Sequence, residues 1–229
     1  MKNLIKMGGI AALIGAATNL LALVVYLTIL ARTGYGSDDP SQVVAFLADN
    51  QALIRVWYII IYLVFGVGMI FLSQALYQRL KAGFPALAQT VITLGLIWAV
   101  LIIVNGTLSI NNVSTVVKLY GENPALAATV WLTLDSVETG LGANGGETMI
   151  SALWLLLLSW FTLRAKELPR VLNFLGVAIG LARILSVVLE PALAAVYGLG
   201  LIIWFIWVGI ALLRSNPDEA SPHEVLSAS

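Results

Sequence analysis

Long apolar stretches alternate with short polar segments along the chain. Six of them dominate the pattern, and they cover residues 4–31, 53–77, 86–110, 148–163, 171–189 and 192–213. A helix rises 1.5 Å per residue, so about 20 apolar residues cross a hydrocarbon core about 30 Å thick. Because lipid offers no partner to unpaired backbone groups, each stretch must be helical. The pattern therefore predicts an all-α integral membrane protein with a six-helix transmembrane bundle.

Residues 1–214 are interpreted as a single transmembrane domain. Lys2 and Lys6 precede the first apolar stretch, as basic residues do in a signal peptide. The stretch is longer than a signal-peptide core and ends without a small-x-small cleavage site, so we interpret it as an uncleaved first helix. The polar tail, residues 215–229, is predicted to be disordered and cytoplasmic.

The basic residues predict the orientation of the chain, because cytoplasmic loops are rich in Lys and Arg. With the N-terminus inside, the outer half receives four of the twelve basic residues, Arg32, Arg55, Lys118 and Arg183, and the cytoplasmic side receives the rest. The sequence therefore predicts a multi-pass protein of the inner (plasma) membrane with both termini in the cytoplasm.

Two of the outer connections contain helix-start signals. Asp39-Pro40 and Asn123-Pro124 each place a capping residue before a proline, and apolar residues at helical spacing follow. We predict two short amphipathic helices on the outer surface. Pro40 and Pro85 are 45 residues apart, as are Pro124 and Pro169, which favours a parallel internal repeat. The alternative is that polytopic proteins place prolines at similar loop positions without duplication.

Composition excludes several classes of protein. Apolar residues make up 60% of the chain and charged residues only 10%, which excludes a soluble or disordered chain. With no cysteine and one histidine, His223 in the tail, neither thiolate nor histidine metal sites are expected in the bundle, and no cofactor is predicted. Twelve basic and twelve acidic residues balance, so no nucleic-acid partner is expected.

Two segments carry a family resemblance. The turn Arg164-Ala-Lys-Glu-Leu-Pro-Arg170, followed by Leu172-Asn-Phe-Leu-Gly176 and Gly180, resembles the late-helix signature of a bacterial family of polytopic membrane proteins. The segment Leu53-Ile-Arg55 is similar to the start of that family's second helix, and the resemblance spans most of residues 4–213. The family is catalogued only as a domain of unknown function. The resemblance implies a bacterial membrane fold and no activity.

Charged residues at membrane depth are the first candidates for a site, because burying a charge there costs at least about 2.5–3.5 kcal/mol. Arg183 lies in the outer third of the fifth stretch and shares a helix face with Gly176 and Gly180. We predict an outward-open polar pocket lined by Asp135, Glu138, Glu147, Arg183 and Glu190, with Arg55 at its rim. The alternative is helix packing with a buried Arg–carboxylate pair.

A run of four glycines within residues 140–146 precedes Glu147. Irregular backbone at membrane depth occurs where it lines a binding site, so the run is one candidate for the lining of the pocket. The alternative is an ordinary outer loop with a helix that starts at Glu147.

Three functions agree with these observations. The first is a non-catalytic protein that binds a lipid, a small amphiphile, a partner subunit or a second copy of the chain. The second is a secondary carrier that uses the outer Arg–carboxylate cluster. The third is an intramembrane enzyme based on Asp or Glu chemistry; because no nucleophile is visibly activated, we expect that the protein is not an enzyme.

Overall fold

The computed structural model describes residues 2–142, 145–187, 189 and 191–214. Glu190 and the polar tail at 215–229 lie outside the described residues. Helices, turns and short connections make up the described part of the chain, in which no strand occurs. The all-helical prediction is therefore confirmed.

Nine α-helices are present among the described residues. They are α1 (Lys2–Thr28), α2 (Pro40–Asp49), α3 (Gln51–Tyr58), α4 (Phe65–Leu80), α5 (Pro85–Glu122), α6 (Pro124–Leu141), α7 (Gly146–Ala165), α8 (Arg170–Ser186) and α9 (Pro191–Arg214). Short 3₁₀ turns at Leu30–Arg32 and Gly34–Gly36 follow α1. A π-helical segment, Ile59–Val64, joins α3 to α4 without a break.

The two Asx-Pro signals open helices as predicted. Asp39 Oδ1 accepts a hydrogen bond from the backbone N–H of Ser41 at 2.9 Å, ahead of α2. Asn123 Oδ1 accepts one from the backbone N–H of Leu126 at 3.1 Å, ahead of α6. Each cap satisfies a backbone donor that the first turn of a helix leaves unpaired.

Five stretches of the described chain are long and apolar enough to cross a membrane. They are Asn3–Arg32, Gln51–Leu80, Pro85–Glu122, Pro124–Ala165 and Ala195–Arg214. Helix α8 has 17 residues and carries Arg170 and Arg183, and it is not among them. The fold is that of a helical membrane protein, with five candidate spans in the described residues.

Six helices pack around a common axis in the described part of the structure. Helix α1 lies between α4 and α9, α5 lies between α4 and α7, and α8 lies between α7 and α9. The neighbours therefore form a closed ring in the order α1, α4, α5, α7, α8, α9.

Aromatic side chains fill the centre of this ring. Their centroids lie 5.4 to 5.9 Å apart in a closed circuit, at edge-to-face or tilted angles that aromatic pairs prefer, through Phe65, Trp98, Trp154, Trp204 and Phe205. We call these five residues the aromatic core. Gly95 and Gly176 make room for it, because a Cβ on either would meet a serine hydroxyl and an indole nitrogen within 3.0 Å.

A second apolar cluster lies beyond the ring, where α2, α3 and α6 pack on the last turns of α5. Leu30, Val44, Leu47 and Val116 are fully buried there. Helix α5 supports this layer because it continues to Glu122, beyond the apolar stretch that ends at residue 110. We call this the capped end of the bundle.

The opposite end is closed by an ion pair. Arg79 Nε lies 3.2 Å from Glu167 Oε2, and Arg79 Nη2 donates to the Glu167 carbonyl at 2.6 Å. These contacts tie the end of α4 to the turn between α7 and α8. Lys81 follows α4, and Lys166 lies in the turn between α7 and α8.

Candidate functional site

Helix α5 presents a polar face to α6 near the capped end. Asn105, Ser109 and Asn112 follow one another at intervals of four and three residues, and all three are buried. Such spacing places side chains on one side of a helix. The face therefore offers two amides and a hydroxyl inside the protein.

Glu138 on α6 meets this face. Ser109 Oγ donates to Glu138 Oε2 at 2.6 Å, and Asn112 Nδ2 donates to Glu138 Oε1 in a short hydrogen bond. The carboxylate is half-buried, and both side chains that donate hydrogen bonds to it are neutral. Glu138 thus joins α6 to α5 without a positive charge.

Asp135 has a different environment, although it lies one turn before Glu138 on the same helix. Its side chain is exposed, whereas that of Glu138 points into the protein. The two carboxylates lie close enough to repel each other electrostatically. The structure therefore places Asp135 near Glu138, but on the exposed side of α6 and away from Ser109 and Asn112.

Arg55 on α3 also contacts α5. Its Nη2 donates to Ser114 Oγ at 2.6 Å, while its Nε is buried and has no hydrogen-bond partner. Ser114 itself donates to the carbonyl of Ile110 at 2.9 Å. Arg55 therefore lies against α5 near the capped end, where it donates to Ser114.

Three tyrosines border the Glu138 carboxylate. Tyr35 and Tyr58 share a hydrogen bond between their hydroxyl groups at 2.9 Å, and Tyr62 lies beside Tyr58 with ring centroids 5.8 Å apart. Burial raises the pKa of Tyr35 to about 12, and the negative charge of Glu138 adds to the rise, whereas the hydrogen bond from Tyr58 lowers it. Tyr35 therefore stays protonated at neutral pH.

Glu147 of α7 lies near Arg183 of α8. Glu147 is in the first turn of α7, half-buried, and interacts electrostatically with Arg183 of α8. The Arg183 guanidinium lies over the Tyr197 ring at 4.7 Å, a cation–π distance. Among the described residues the only ion pair within 4 Å joins Arg79 to Glu167, so Glu147 and Arg183 are near but not in direct contact.

Polar groups around this pair keep free hydrogen-bonding capacity. Arg183 Nε is buried without a partner. The Trp98 indole nitrogen lies beside Glu147 but makes no hydrogen bond of normal geometry. The Tyr197 ring, under the guanidinium, is buried. Glu147 thus lies beside Trp98 of the aromatic core, within electrostatic range of Arg183.

Three of the predicted site residues fall into two groups. Glu138 lies with the polar face of α5, and Glu147 lies near Arg183. Asp135 and Arg55 belong to neither group. Tyr62 lies near both groups, because its hydroxyl is within electrostatic range of Glu138 and of Glu147. Glu190, the remaining predicted member, lies outside the described residues.

The comparison with family models identifies the relationship of the chain. Residues 7–213 match the model described as Domain of unknown function (DUF4386). The protein belongs to the DUF4386 family. The resemblance stated from the sequence is thereby confirmed. No curated protein and no solved structure matches the chain.

Membership in the DUF4386 family assigns no activity, and the membrane fold rests on the long apolar helices. Within the described ranges, no group of three or more His, Cys, Asp or Glu residues could hold a metal ion. Glu138 of this DUF4386 protein instead accepts hydrogen bonds from a hydroxyl and an amide, and Glu167 pairs with Arg79.

Several residues of these groups were missed by sequence reasoning. Ser109, Asn112, Tyr62 and Tyr197 were not among the predicted site residues. The spacing of Asn105, Ser109 and Asn112 is a detectable helical pattern. The pattern continues past residue 110, where the third apolar stretch ends, so apolar run length alone does not reveal it.

An apolar groove of about 480 Å³ lies elsewhere, on the outer face between α1 and α4. Its exposed lining residues include Met7, Ile10, Val67 and Phe71. It contains no charged side chain, so it offers contact area to lipid chains but no recognition chemistry.

Proposed function

We propose that this DUF4386 protein is a non-catalytic membrane protein that binds a zwitterionic amphiphile, such as a lipid headgroup, between Glu147 and Arg183. One observation carries the proposal. Glu147 and Arg183 interact electrostatically near the aromatic core, and among the described residues they form no ion pair within 4 Å and Arg183 Nε has no hydrogen-bond partner. A ligand with one positive and one negative group would pair with both the Glu147 carboxylate and the Arg183 guanidinium.

The energetics support a ligand in this place. A charged side chain at membrane depth is unfavourable unless it is paired, and a stacked guanidinium still needs hydrogen-bond acceptors. A phosphate or carboxylate accepts two hydrogen bonds from one guanidinium, which makes it a strong partner for Arg183. An ammonium group of the same ligand would contact Glu147. Apolar groups of the ligand would pack on Trp98.

Binding of a short-chain phosphatidylethanolamine to the detergent-purified protein tests the proposal. Native mass spectrometry of the wild type is expected to show one bound lipid, and Arg183→Ala and Glu147→Gln are each expected to weaken binding at least tenfold. That loss corresponds to about 1.4 kcal/mol or more.

Arg164→Ala is the matched control. Arg164 stacks on Trp160 at 4.6 Å, much as Arg183 stacks on Tyr197, but it is exposed. Its removal is expected to leave lipid binding unchanged. Equal binding by the wild type and Arg183→Ala, with both folded by thermal unfolding, would refute the site.

A secondary carrier is the alternative function, and the junction of α6 and α7 supports it. Helix α6 ends at Leu141, Gly142 is buried, and α7 starts at Gly146. Interrupted helices of this kind form the substrate sites of many carriers. A carrier requires uptake of a solute into liposomes that Glu147→Gln abolishes, whereas a binding protein gives no uptake.

We further propose six transmembrane spans, with α8 as the fifth in chain order, and both termini in the cytoplasm of a bacterial inner membrane. The packing of α8 between α7 and α9 supports counting α8 as a span in addition to the five candidates. Basic residues near Arg79 and Arg170 support the orientation, because cytoplasmic loops favour positive charge.

The proposed parallel repeat gains support from the aromatic core. Gly95 on α5 lies against Ser73 of α4 and the Trp154 nitrogen, and Gly176 on α8 lies against Ser159 of α7 and the Trp204 nitrogen. Each glycine thus sits in an equivalent helix hairpin. We propose that the two hairpins descend from one duplicated unit.

A further inference from the structure

Oxygen atoms gather where the end of α6 meets the middle of α5. Glu138 supplies a carboxylate, Ser109 a hydroxyl and Asn105 an amide. The group lies at the capped end, apart from the Glu147–Arg183 pair. Its members come from the polar face of α5 and the last turns of α6.

The carboxylate in this group lacks a positive partner. In the described part of the chain no Lys or Arg lies within 4 Å of Glu138, and its hydrogen bonds come from Ser109 and Asn112. The titratable groups that face it are Asp135 on its own helix and three tyrosines, Tyr35, Tyr58 and Tyr62, from the elements packed against it. None of these groups is positively charged at neutral pH.

A buried amide lies one helical turn from Ser109 on α5. Asn105 is 5% exposed, its backbone carbonyl accepts a hydrogen bond from Ser109 Oγ at 3.0 Å, and its Oδ1 has no hydrogen-bond partner among the described residues. The Asn105 amide lies against Gly142 at the end of α6, where a Cβ would come within 2.6 Å of Asn105 Nδ2. Because Gly142 has no side chain, the amide packs closely against the end of α6. The amide is therefore held at the same junction as Glu138.

The helix terminus adds to the negative potential. The last carbonyl groups of an α-helix carry a partial negative charge that favours a cation. At the end of α6 the Glu138 carbonyl accepts from the Gly142 N–H at 2.8 Å, so the helix remains regular up to this junction. The negative end of the α6 dipole therefore points towards the region of Asn105.

The donor set selects the type of cation. A single carboxylate with neutral amide and hydroxyl oxygens balances one positive charge. Calcium requires six to eight oxygen ligands, commonly several carboxylates, and no cluster of three acidic or other metal-binding residues exists in the described ranges. Hard oxygen ligands at a helix end are typical of the sodium sites of membrane proteins.

We propose that Glu138, Asn105 and Ser109 form a binding site for a monovalent cation, Na⁺, at the junction of α5 and α6. The ion neutralises Glu138 and accepts the free lone pairs of the Asn105 amide oxygen. Because it uses residues outside the Glu147–Arg183 pair, this site is independent of the zwitterion site.

Thermal unfolding of the full chain in detergent tests the sodium site. The wild type is measured in NaCl and in choline chloride at equal ionic strength. A ligand that binds only the folded state stabilises it, so Tm is expected to rise with NaCl and to saturate. Glu138→Gln removes the charge and is expected to abolish the rise.

Asp135→Asn is the matched control, because Asp135 lies one turn away on the same helix but is exposed. It is expected to keep the sodium-dependent rise. A sodium response that Glu138→Gln retains, or that Asp135→Asn loses equally, would overturn the proposal.

Direct binding of radioactive ²²Na⁺ gives a second measurement, should Glu138→Gln not fold. Asn105→Ala retains the carboxylate and is expected to bind ²²Na⁺ at least tenfold more weakly than the wild type. Absence of ²²Na⁺ binding by the wild type, with stabilisation by acid alone, would show that Glu138 binds a proton instead and would refute the sodium site.

Discussion

A single hydroxyl pair connects the 3₁₀ turn after α1 to the start of the second membrane stretch. Tyr35 and Tyr58 share one hydrogen bond at 2.9 Å, and the Tyr35 ring also contacts Phe46 and Trp57 edge to face. Because burial raises the pKa of Tyr35 to about 12, the folded state favours the protonated phenol. Its stabilising effect is complete below the ordinary pKa of about 10 and is lost as the pH rises through about 12.

Tyr35→Phe is expected to lower stability near neutral pH and to matter less in alkali. At about pH 8 the variant loses one hydrogen bond, a destabilisation of about 1 kcal/mol. At about pH 11.5 the wild type has itself lost part of the stabilisation from Tyr35, so the difference shrinks. Thermal unfolding at both pH values measures the difference in stability between the wild type and Tyr35→Phe. Tyr26→Phe, at an exposed site, is the control and is expected to match the wild type at both.

The sequence predicts only some of the residues that form the two polar groups. Arg183 and Glu147 stand out because charge is rare in apolar stretches, and the structure brings them together. Asp135 and Glu138 look equivalent in sequence, yet one is exposed and the other is held by Ser109 and Asn112. That difference depends on how α6 is rotated against α5, which no local pattern encodes.

Helix starts were predictable because they depend on neighbouring residues alone. Asp39 accepts a hydrogen bond from the first turn of α2, and proline follows it at a position that needs no backbone donor. The end of α5 was not predictable. Asn112, Ser114 and Thr115 resemble a loop, but Ser114 and Thr115 bond back to carbonyls of their own helix, and Asn112 is buried against Glu138.

Asp39→Ala is expected to loosen α2 by about 1 kcal/mol, since the cap bond to the Ser41 N–H is lost. Hydrogen exchange followed by mass spectrometry should show about fivefold faster exchange in the peptide that covers α2. Asp38→Ala is the matched control, because Asp38 is exposed and does not cap the helix. Equal exchange in the two variants would show that tertiary packing alone holds α2.

At the scale of the whole molecule, the ring of helices closes around the aromatic core. Helix α8 completes it, although it has only 17 residues and carries two arginines. Its contact with α9 is close: a Cβ on Gly200 would lie 3.4 Å from Ile179 Cβ. Disulfides join Cβ atoms about 3.5–4.5 Å apart, so a cysteine pair fits this contact with little movement.

Ile179→Cys combined with Gly200→Cys is expected to form a disulfide on mild oxidation in membranes. The chain has no cysteine of its own, so the background is zero. Intact-mass analysis after thiol alkylation measures the cross-link. Ile179→Cys with Gly198→Cys is the control, because a Cβ on Gly198 meets nothing within 4 Å. Similar yields for both pairs would contradict the packing of α8 on α9.

Local sequence patterns establish the class of the protein, a helical membrane chain with Asx-Pro helix starts. These properties follow from composition, apolar run length and residues adjacent in the chain. Tertiary packing brings together five aromatic rings from α4, α5, α7 and α9, extends α5 into the capped end, and places Glu138 and Glu147 in different polar groups. Such contacts depend on the rotation and spacing of helices far apart in sequence, which short-range patterns do not specify.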